Sequence, residues 1–279
     1  AESLGNPKLD VLDLKAISKA AQTYKVPFIV DNTVATPFLL NPIEHGANIV
    51  IHSLTKYIGG NGTSLGGVII DAGNFDWSNG KFPEFTEPSA GYHGLKYYEV
   101  LGAASFIAKV RIEGLRDLGA SLSPFNAFQI IQGLETLAIR IKKHSENALE
   151  LAKWLQKRSE VAWVNYPGLI SSKYYELAQQ YLPEGQSGIV TFGLKGGYEA
   201  AKKVADETRF FSLLANIGDT KSLIIHPAST THQQLSEEQQ ITTGVTKDLI
   251  RLSVGLEDIE DLKADLQSVF EKLPVQNLV

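Results

Sequence analysis

Residues 47–67 read ANIVIHSLTKYIGGNGTSLGG, and this stretch decides the fold of the chain. It opens with an apolar, β-branched run at 49–51, which is typical of a short strand that is buried on both faces of a parallel sheet. Polar side chains and then five glycines follow, and glycine lets backbone N–H groups approach a ligand closely. The stretch therefore predicts a strand that ends at a ligand-binding loop.

Lys56 lies in this loop, shortly after the strand. Burial of an ammonium group without a partner is costly or makes the amine give up its proton. An uncharged lysine is a nucleophile that forms a Schiff base with a carbonyl compound. The alternative is an ordinary solvated loop lysine. A nucleotide P-loop is excluded, because that motif requires Gly-Lys-Ser/Thr and here the lysine lies between Thr55 and Tyr57.

Asp31 lies at the end of a second apolar run, at 28–30. Ligands of open parallel sheets bind at the carboxyl ends of the strands, and the 25 positions from Asp31 to Lys56 fit one strand–helix–strand unit. We therefore expect both side chains at one crevice. Pyridoxal phosphate requires such a pair, because a carboxylate keeps its pyridine nitrogen protonated while a lysine holds its aldehyde. The alternative for Asp31 alone is a capping or turn role.

The segment 31–62, DNTVATPFLLNPIEHGANIVIHSLTKYIGGNG, resembles the cofactor segment of the Cys/Met-metabolism family of pyridoxal-phosphate enzymes. The similarity extends from Glu2 nearly to the C-terminus. It implies an α/β chain of the fold-type-I transferase class, with a large, mostly parallel sheet domain and a smaller α+β C-terminal domain. The implied roles are Lys56 as the catalytic residue that carries pyridoxal 5'-phosphate in a Schiff base, Asp31 on the ring nitrogen, Ser53 and Thr55 on the phosphate, and Asn6 near the phenolic oxygen.

The expected domain boundary lies inside a long helical region. We expect residues 1–140 to form the C-terminal part of the large domain, with the start of a linking helix, and residues 141–279 to form the small domain. A helical pattern covers 125–155, with Gly133 as a candidate break. A strand at 66–70 follows its predecessor so closely that it is expected to run antiparallel to it.

Two further residues are predicted to bind substrate. Arg251 lies in an apolar, strand-like run, where a guanidinium needs a partner, and its planar fork suits an amino-acid carboxylate. A structural ion pair with Glu257 or Asp258 is the alternative, and the family resemblance favours the carboxylate. Asn216 occupies a position where γ-lyases and cystathionine enzymes of the family commonly carry serine, so that asparagine resembles the sulfhydrylase branch.

These residues predict a γ-replacement reaction, in which O-acetyl-L-homoserine and sulfide give L-homocysteine and acetate. The enzyme would be a transferase of alkyl groups in methionine biosynthesis and trans-sulfuration. One alternative is methionine γ-lyase or a cystathionine lyase or synthase of the same family. Another, from a different class, is a catalytically incompetent fragment that acts as an assembly subunit.

The composition is that of an ordinary globular protein, with 43% hydrophobic and 20% charged residues. The net charge of −5 argues against a nucleic-acid partner. The absence of cysteine excludes disulfides, thiolate catalysis and zinc-finger sites, and no metal is expected. No apolar run approaches membrane-spanning length. We expect a cytoplasmic homo-oligomer, a tetramer built as a dimer of dimers, with no membrane partner and with an amino-acid substrate and sulfide as ligands.

The chain contains no methionine and opens on Ala1. We expect an N-terminal portion outside it, either removed or present as a separate chain segment. By resemblance that portion would supply a tyrosine that stacks on the cofactor ring, a phosphate-binding turn and an arm that reaches the neighbouring subunit.

Two segments have less specific patterns. Residues 71–99 are loop-like and rich in aromatic side chains, and they resemble an insertion of the sulfhydrylases; an oligomer contact and a substrate role are both open for it. The basic residues at 140, 142, 143 and 144 are expected to form a solvated face of the long helix.

Overall fold

A computed structural model describes residues 1–274 and contains two β-sheets. The first sheet has three strands in the order β1-β2-β3, and the second has five in the order β4-β5-β8-β7-β6. The strands are β1 Ile29–Asp31, β2 Ile49–Ser53, β3 Gly67–Asp71, β4 Val161–Asn165, β5 Ile189–Leu194, β6 Ser212–Leu213, β7 Leu223–Ile225 and β8 Leu249–Ser253.

Helices cover both sheets and connect them. They are α1 Leu14–Thr23, α2 Thr36–Leu39, α3 Pro83–Thr86, α4 Tyr97–Leu101, α5 Ser105–Lys109, α6 Pro124–Glu135, α7 Leu137–Leu155, α8 Tyr175–Tyr181, α9 Gly197–Glu207, α10 Glu237–Thr243 and α11 Ile259–Phe270. Within the described residues no helix is both long enough and apolar enough to cross a membrane.

The first sheet positions the ends of two parallel strands side by side. β1 and β2 are parallel, with Asp31 opposite Ile51 in the register. β3 pairs antiparallel with β2, which confirms the direction predicted from the short connection. Within this chain the sheet therefore has one parallel and one antiparallel pairing. Val30 and Val50 are buried in its interior.

The second sheet is mostly antiparallel. β5 lies between β4 and β8, and antiparallel to both, while β7 pairs antiparallel with β8 and parallel with β6. Helices α7, α9 and α11 contact this sheet or one another. This arrangement matches the α+β pattern expected for the second half of the chain.

The long helix α7 connects two hydrophobic cores. Ile141, near its start, belongs to the core of the first sheet, and Ala148 belongs to the core of the second. Tyr181 and Leu182 come from the second half of the chain but pack in the first core. We propose the domain boundary within α7, near position 141 as the sequence suggested; residues 275–279 of the expected small domain lie outside the described part.

The helical region 125–155 breaks at Thr136, which separates α6 from α7, and Gly133 is not the break. Gly133 has another role, because a Cβ atom there would overlap the carbonyl oxygens of Ile58 and Gly59. Its missing side chain lets α6 pack directly on the backbone that follows Lys56.

The aromatic segment 71–99 is more ordered than its loop-like sequence suggests. Trp77, Phe85 and Tyr97 are buried with Ile49 of β2 in a third hydrophobic cluster. The Trp77 ring stacks on Phe106, with ring centroids 5.2 Å apart and an interplanar angle of 9°. Much of the aromatic surface is therefore used in packing against the first sheet.

The expected solvated face on α7 is wrong for two of its four residues. Arg140 is 8% exposed and His144 is fully buried, whereas Lys142 is exposed. Leu137, Arg140, Ile141 and His144 follow the three- and four-residue spacing of one helix face. That face packs inward, so two basic residues are buried together with two apolar ones.

The buried His144 ring predicts a pH-dependent stability. Its Nδ1 atom lies 2.6 Å from the Val254 carbonyl oxygen and therefore donates to it, while Nε2 has no partner within residues 1–274. Burial lowers the pKa of His144 from 6.5 to about 4. Between those pH values His144 is protonated in the unfolded chain but not in the folded chain. The free energy of unfolding therefore falls as the pH falls. The full loss is about 3 kcal/mol, since one pKa unit corresponds to about 1.36 kcal/mol.

Urea unfolding at pH 7 and pH 4.5 measures this effect. We expect His144→Asn to lose less stability than the wild type between the two pH values, whatever its stability at pH 7. The control is His93→Asn, which changes an exposed histidine and should keep the wild-type difference. Equal differences in all three proteins would contradict the assignment to His144.

Candidate active site

The carboxyl ends of β1 and β2 lie at the same edge of the first sheet. β1 ends at Asp31 and β2 at Ser53, and Thr33 connects them. The Thr33 N–H donates to Asp31 Oδ1 at 2.9 Å, and the Ser53 N–H donates to Thr33 Oγ1 at 2.8 Å. Asp31 thus has the turn role considered from the sequence, and its Oδ2 atom makes no hydrogen bond within residues 1–274.

The turn that carries Lys56 is a single wide helical turn over Leu54–Ile58. Lys56 departs from helical geometry, with φ −89° and ψ −131°. The turn is closed by hydrogen bonds from Gly59 N to Leu54 O at 2.9 Å and from Gly60 N to Lys56 O at 2.8 Å. The lysine is consequently held at the mouth of β2 by backbone geometry.

The Lys56 amine is half-buried and faces a neutral partner. Its Nζ donates to Asn216 Oδ1 at 2.5 Å. Burial lowers the pKa of Lys56, and the positive charge of Arg251 lowers this pKa further. Within residues 1–274 Lys56 forms no ion pair with a carboxylate that would favour its charged form. The solvated-loop alternative for Lys56 does not describe this environment.

Arg251 lies on β8 and forms no ion pair within residues 1–274. Its Nη2 donates to the Asn216 carbonyl oxygen at 3.1 Å and its Nη1 to Asn6 Oδ1 at 3.3 Å. Its Nε atom is buried and has no partner within the described chain. Burial lowers the pKa of Arg251 to about 10. An anion bound at Arg251 would contact a desolvated guanidinium whose Nε–H is available to donate a hydrogen bond.

The acids considered as partners of Arg251 are engaged elsewhere. Glu257 accepts from the backbone N–H and the hydroxyl of Ser222, at 2.7 and 2.8 Å. Asp258 caps α11 by accepting from Glu260 N at 2.8 Å. The ion-pair alternative is therefore not formed.

Four of the predicted residues form one hydrogen-bonded chain, from Lys56 through Asn216 and Arg251 to Asn6. Asp31 and Ser53 are joined to each other through the Thr33 turn, with no direct bond to this chain. The Thr55 hydroxyl bonds to the Gly66 backbone, accepting from N at 3.1 Å and donating to O at 3.4 Å. The phosphate-binding roles of Ser53 and Thr55 stay predictions.

Tyr57 and Gly218 support the lysine turn, and the sequence interpretation gave neither a role. Tyr57 is fully buried, its hydroxyl accepts from Gly188 N at 3.2 Å, and its ring contacts the His144 ring edge-on at 5.2 Å. Gly218 has φ +72°, and a Cβ atom there would lie 2.5 Å from Tyr57 N. The glycine was visible in the sequence as a turn signal, but its contact joins positions 161 residues apart and carries no local signature.

Residues 1–274 contain no group of three or more histidine, aspartate or glutamate side chains arranged to hold a metal ion.

Comparison with known proteins places these features in a family context. A sequence model described as Cys/Met metabolism PLP-dependent enzyme matches residues 1–271. An O-acetyl-L-homoserine sulfhydrylase of Leptospira meyeri is 56% identical over 98% of this chain and 64% of its own length. O-acetyl-L-homoserine sulfhydrylase 1 of Thermus thermophilus is 51% identical over 95% of this chain and 63% of its own length.

A solved structure has the same fold. A crystal structure from Campylobacter jejuni, described as an O-acetylhomoserine (thiol)-lyase, superposes with a TM-score of 0.93 at 47% identity. The match covers 97% of this chain and 65% of the crystallised one, which contains a pyridoxyl-lysine-phosphate residue. The chain thus spans slightly less than two thirds of the proteins it resembles, and the predicted fold class is confirmed.

Proposed function

This chain belongs to the Cys/Met metabolism PLP-dependent enzyme family, and from that premise we propose that it catalyses γ-replacement on O-acetyl-L-homoserine. Sulfide would replace acetate at Cγ, giving L-homocysteine. The Cγ–O bond breaks, acetate leaves with its electron pair, and the sulfur of hydrosulfide forms the new bond to Cγ. The observation that carries the proposal is the hydrogen-bonded chain from Lys56 through Asn216 to Arg251. It connects an amine with a lowered pKa to a guanidinium that forms no ion pair in the described part of the chain.

The residues of this site fit pyridoxal phosphate. Lys56 offers a half-buried amine that forms no ion pair with a carboxylate among residues 1–274. Asp31 would bind the ring nitrogen, and one of its oxygens is not used within the described residues. Ser53 and Thr55 would bind the phosphate, and Asn6 would lie near the phenolic oxygen. When bound, the cofactor would supply an aldehyde for the amine and a ring that withdraws electrons from the substrate's Cα.

Lys56 would move the protons of the reaction at its Nζ atom. A base must be uncharged to accept a proton, and the lowered pKa of Lys56 raises the fraction of free amine near neutral pH. The amide of Asn216 accepts a hydrogen bond from Nζ and so directs it without adding a negative charge. The same nitrogen would take the proton from Cα and return one later.

Arg251 would bind the substrate's carboxylate. Its guanidinium is desolvated, and its Nε donor has no partner within residues 1–274. A carboxylate that accepts two parallel hydrogen bonds from arginine is fixed in position and orientation. Asn216 joins Arg251 to Lys56, and asparagine at this position supports the sulfhydrylase over the lyases, as do the names of the relatives.

A substrate panel tests the proposed function. We expect the full-length protein, loaded with pyridoxal phosphate, to consume O-acetyl-L-homoserine and sulfide and to release acetate and homocysteine in equal amounts. Methionine or cystathionine offered alone should react at least about tenfold more slowly. A protein that eliminates from methionine faster than it uses sulfide is a lyase, and a protein that stays colourless with added cofactor is an assembly subunit.

We also infer that the protein is a cytoplasmic homo-oligomer, a tetramer of paired dimers. The outer face of α6 supports self-association, since Phe125, Phe128 and Ile131 are between 55% and 65% exposed. An apolar face of this kind marks an interaction site more often than free surface.

A further inference from the structure

We propose that Arg140 is a positioning residue for the lysine amine, because its guanidinium holds the backbone immediately after Lys56. The proposal rests on the proposed function of Lys56, and it adds a residue that never touches the ligands. Arg140 lies on α7, 84 positions from the lysine.

The guanidinium binds the two carbonyl groups that follow the lysine. Nη1 donates to Tyr57 O at 2.7 Å, and Nη2 donates to Ile58 O at 3.1 Å. The Lys56 turn ends here, so no further helical turn would satisfy these oxygens. One side chain therefore satisfies two backbone hydrogen-bond acceptors next to the catalytic residue.

The guanidinium is itself fixed from α6 and α7. Nη2 also donates to Gly133 O at 2.6 Å, and Nε donates to Thr136 Oγ1 at 3.0 Å. The loop approaches so closely that a Cβ atom on Gly60, which has φ +77°, would lie 2.5 Å from Nη1. Arg140 thus joins two helices and the lysine turn in one arrangement.

Burial of the Arg140 guanidinium costs free energy, because the charge loses its hydration. Arg140 is 8% exposed and forms no ion pair within residues 1–274, and burial lowers its pKa. A buried cation without a carboxylate is a poor stabiliser compared with an apolar side chain of similar size. Within residues 1–274 its acceptors are three carbonyl oxygens and the Thr136 hydroxyl, which suits a geometric role for the guanidinium better than a stabilising one.

A polar cleft of about 310 Å³ lies beside the guanidinium and is lined in part by Asn61, Gln132 and Thr220. Without the guanidinium, water from this cleft would hydrate the carbonyls of Tyr57 and Ile58, and the turn would no longer be held in one conformation. The lowered pKa of Lys56 depends first on burial. A loosened turn would expose the amine and raise its pKa towards the ordinary value of lysine.

Chemical labelling of the cofactor-free protein measures the reactivity of the Lys56 amine without any turnover. We expect the pH midpoint for reductive methylation of Lys56, followed by peptide mass spectrometry over a pH series, to lie at higher pH in Arg140→Met than in the wild type, because this midpoint reports the pKa of the amine separately from its accessibility. Arg140→Lys should fall between them, because an ammonium reaches fewer of the carbonyls. Lys142→Met, an exposed substitution on the same helix, should label as the wild type does.

The loaded enzyme gives a second readout. Arg140→Met should lower kcat about tenfold or more and leave the KM for the amino acid near the wild-type value, because Arg251 is untouched. A folded Arg140→Met with wild-type labelling and kcat would overturn the proposal. If Arg140→Met does not fold, Thr136→Val removes the Nε partner together with the bond from the Thr136 hydroxyl to Gly133 O, and unchanged labelling in that variant would overturn the proposal equally. A wild-type protein that binds no cofactor would reject the proposed function and leave the labelling comparison valid.

Discussion

Lys56→Ala should lose turnover and the visible absorbance of bound cofactor together. Proton transfer by a positioned side chain contributes roughly 10²–10⁴-fold, and covalent attachment of the cofactor adds to this. We therefore expect kcat to fall at least about 10⁴-fold. The surrounding structure should persist, because within residues 1–274 the Lys56 side chain makes a single hydrogen bond, to Asn216, and its removal leaves an amide that water can reach.

Absorbance spectra and a sulfide-dependent activity assay on the same preparations measure both losses. Lys142→Ala removes an exposed lysine from α7 and should retain the wild-type colour and rate. A Lys56→Ala protein with the normal yellow colour would show that another amine holds the cofactor, and the proposed function would then fail at its first step.

Arg251→Met should weaken the use of the amino-acid substrate and leave the cofactor bound. A hydrogen bond to a charged group is worth roughly 1.5–3 kcal/mol, and two of them to a carboxylate correspond to a loss of roughly 10²–10⁴-fold in kcat/KM. The variant should also raise the pKa of Lys56, because the charge of Arg251 lowers it. The base works uncharged, so the acidic limb of the pH–rate profile should move to higher pH.

Steady-state kinetics across pH separates these two effects. Arg251→Lys keeps the charge and loses the planar fork, so it should restore the position of the acidic limb and recover only part of kcat/KM. Arg209→Met changes an exposed arginine and should resemble the wild type. An Arg251→Met protein with unchanged kcat/KM would assign the carboxylate to another group.

The strand ends and their polar residues were predictable because their signals are local. A short β-branched run predicted β2 at the right place, and the brief connection after it predicted the antiparallel β3. Asp31 and Ser53 lie at the same edge because parallel strands share their direction. The partly buried position of Arg251 followed from the apolar residues on both sides of it.

Contacts between distant residues were not predictable in the same way. The bond from Lys56 to Asn216 spans 160 positions, and no pattern at either end specifies it. Arg140 was assigned to solvent because it begins a basic run, although its spacing from Leu137 and Ile141 already indicated the buried face. Buried charges are rare, so the residue type of Arg140 predicts exposure to solvent. The spacing of Arg140 along the helix predicts burial, and the structure follows the spacing.

The neutral partner of the lysine amine has a wider consequence. The amide oxygen of Asn216 carries no negative charge at any pH, so it does not stabilise the ammonium form of Lys56 as an aspartate would. Its main-chain oxygen accepts a hydrogen bond from Arg251, so this one residue contacts both the amine that would act as the base and the guanidinium that would bind the substrate's carboxylate. An uncharged residue thus lies between two basic groups, and the lowered pKa of Lys56 favours the loss of its proton while the guanidinium of Arg251 keeps its charge.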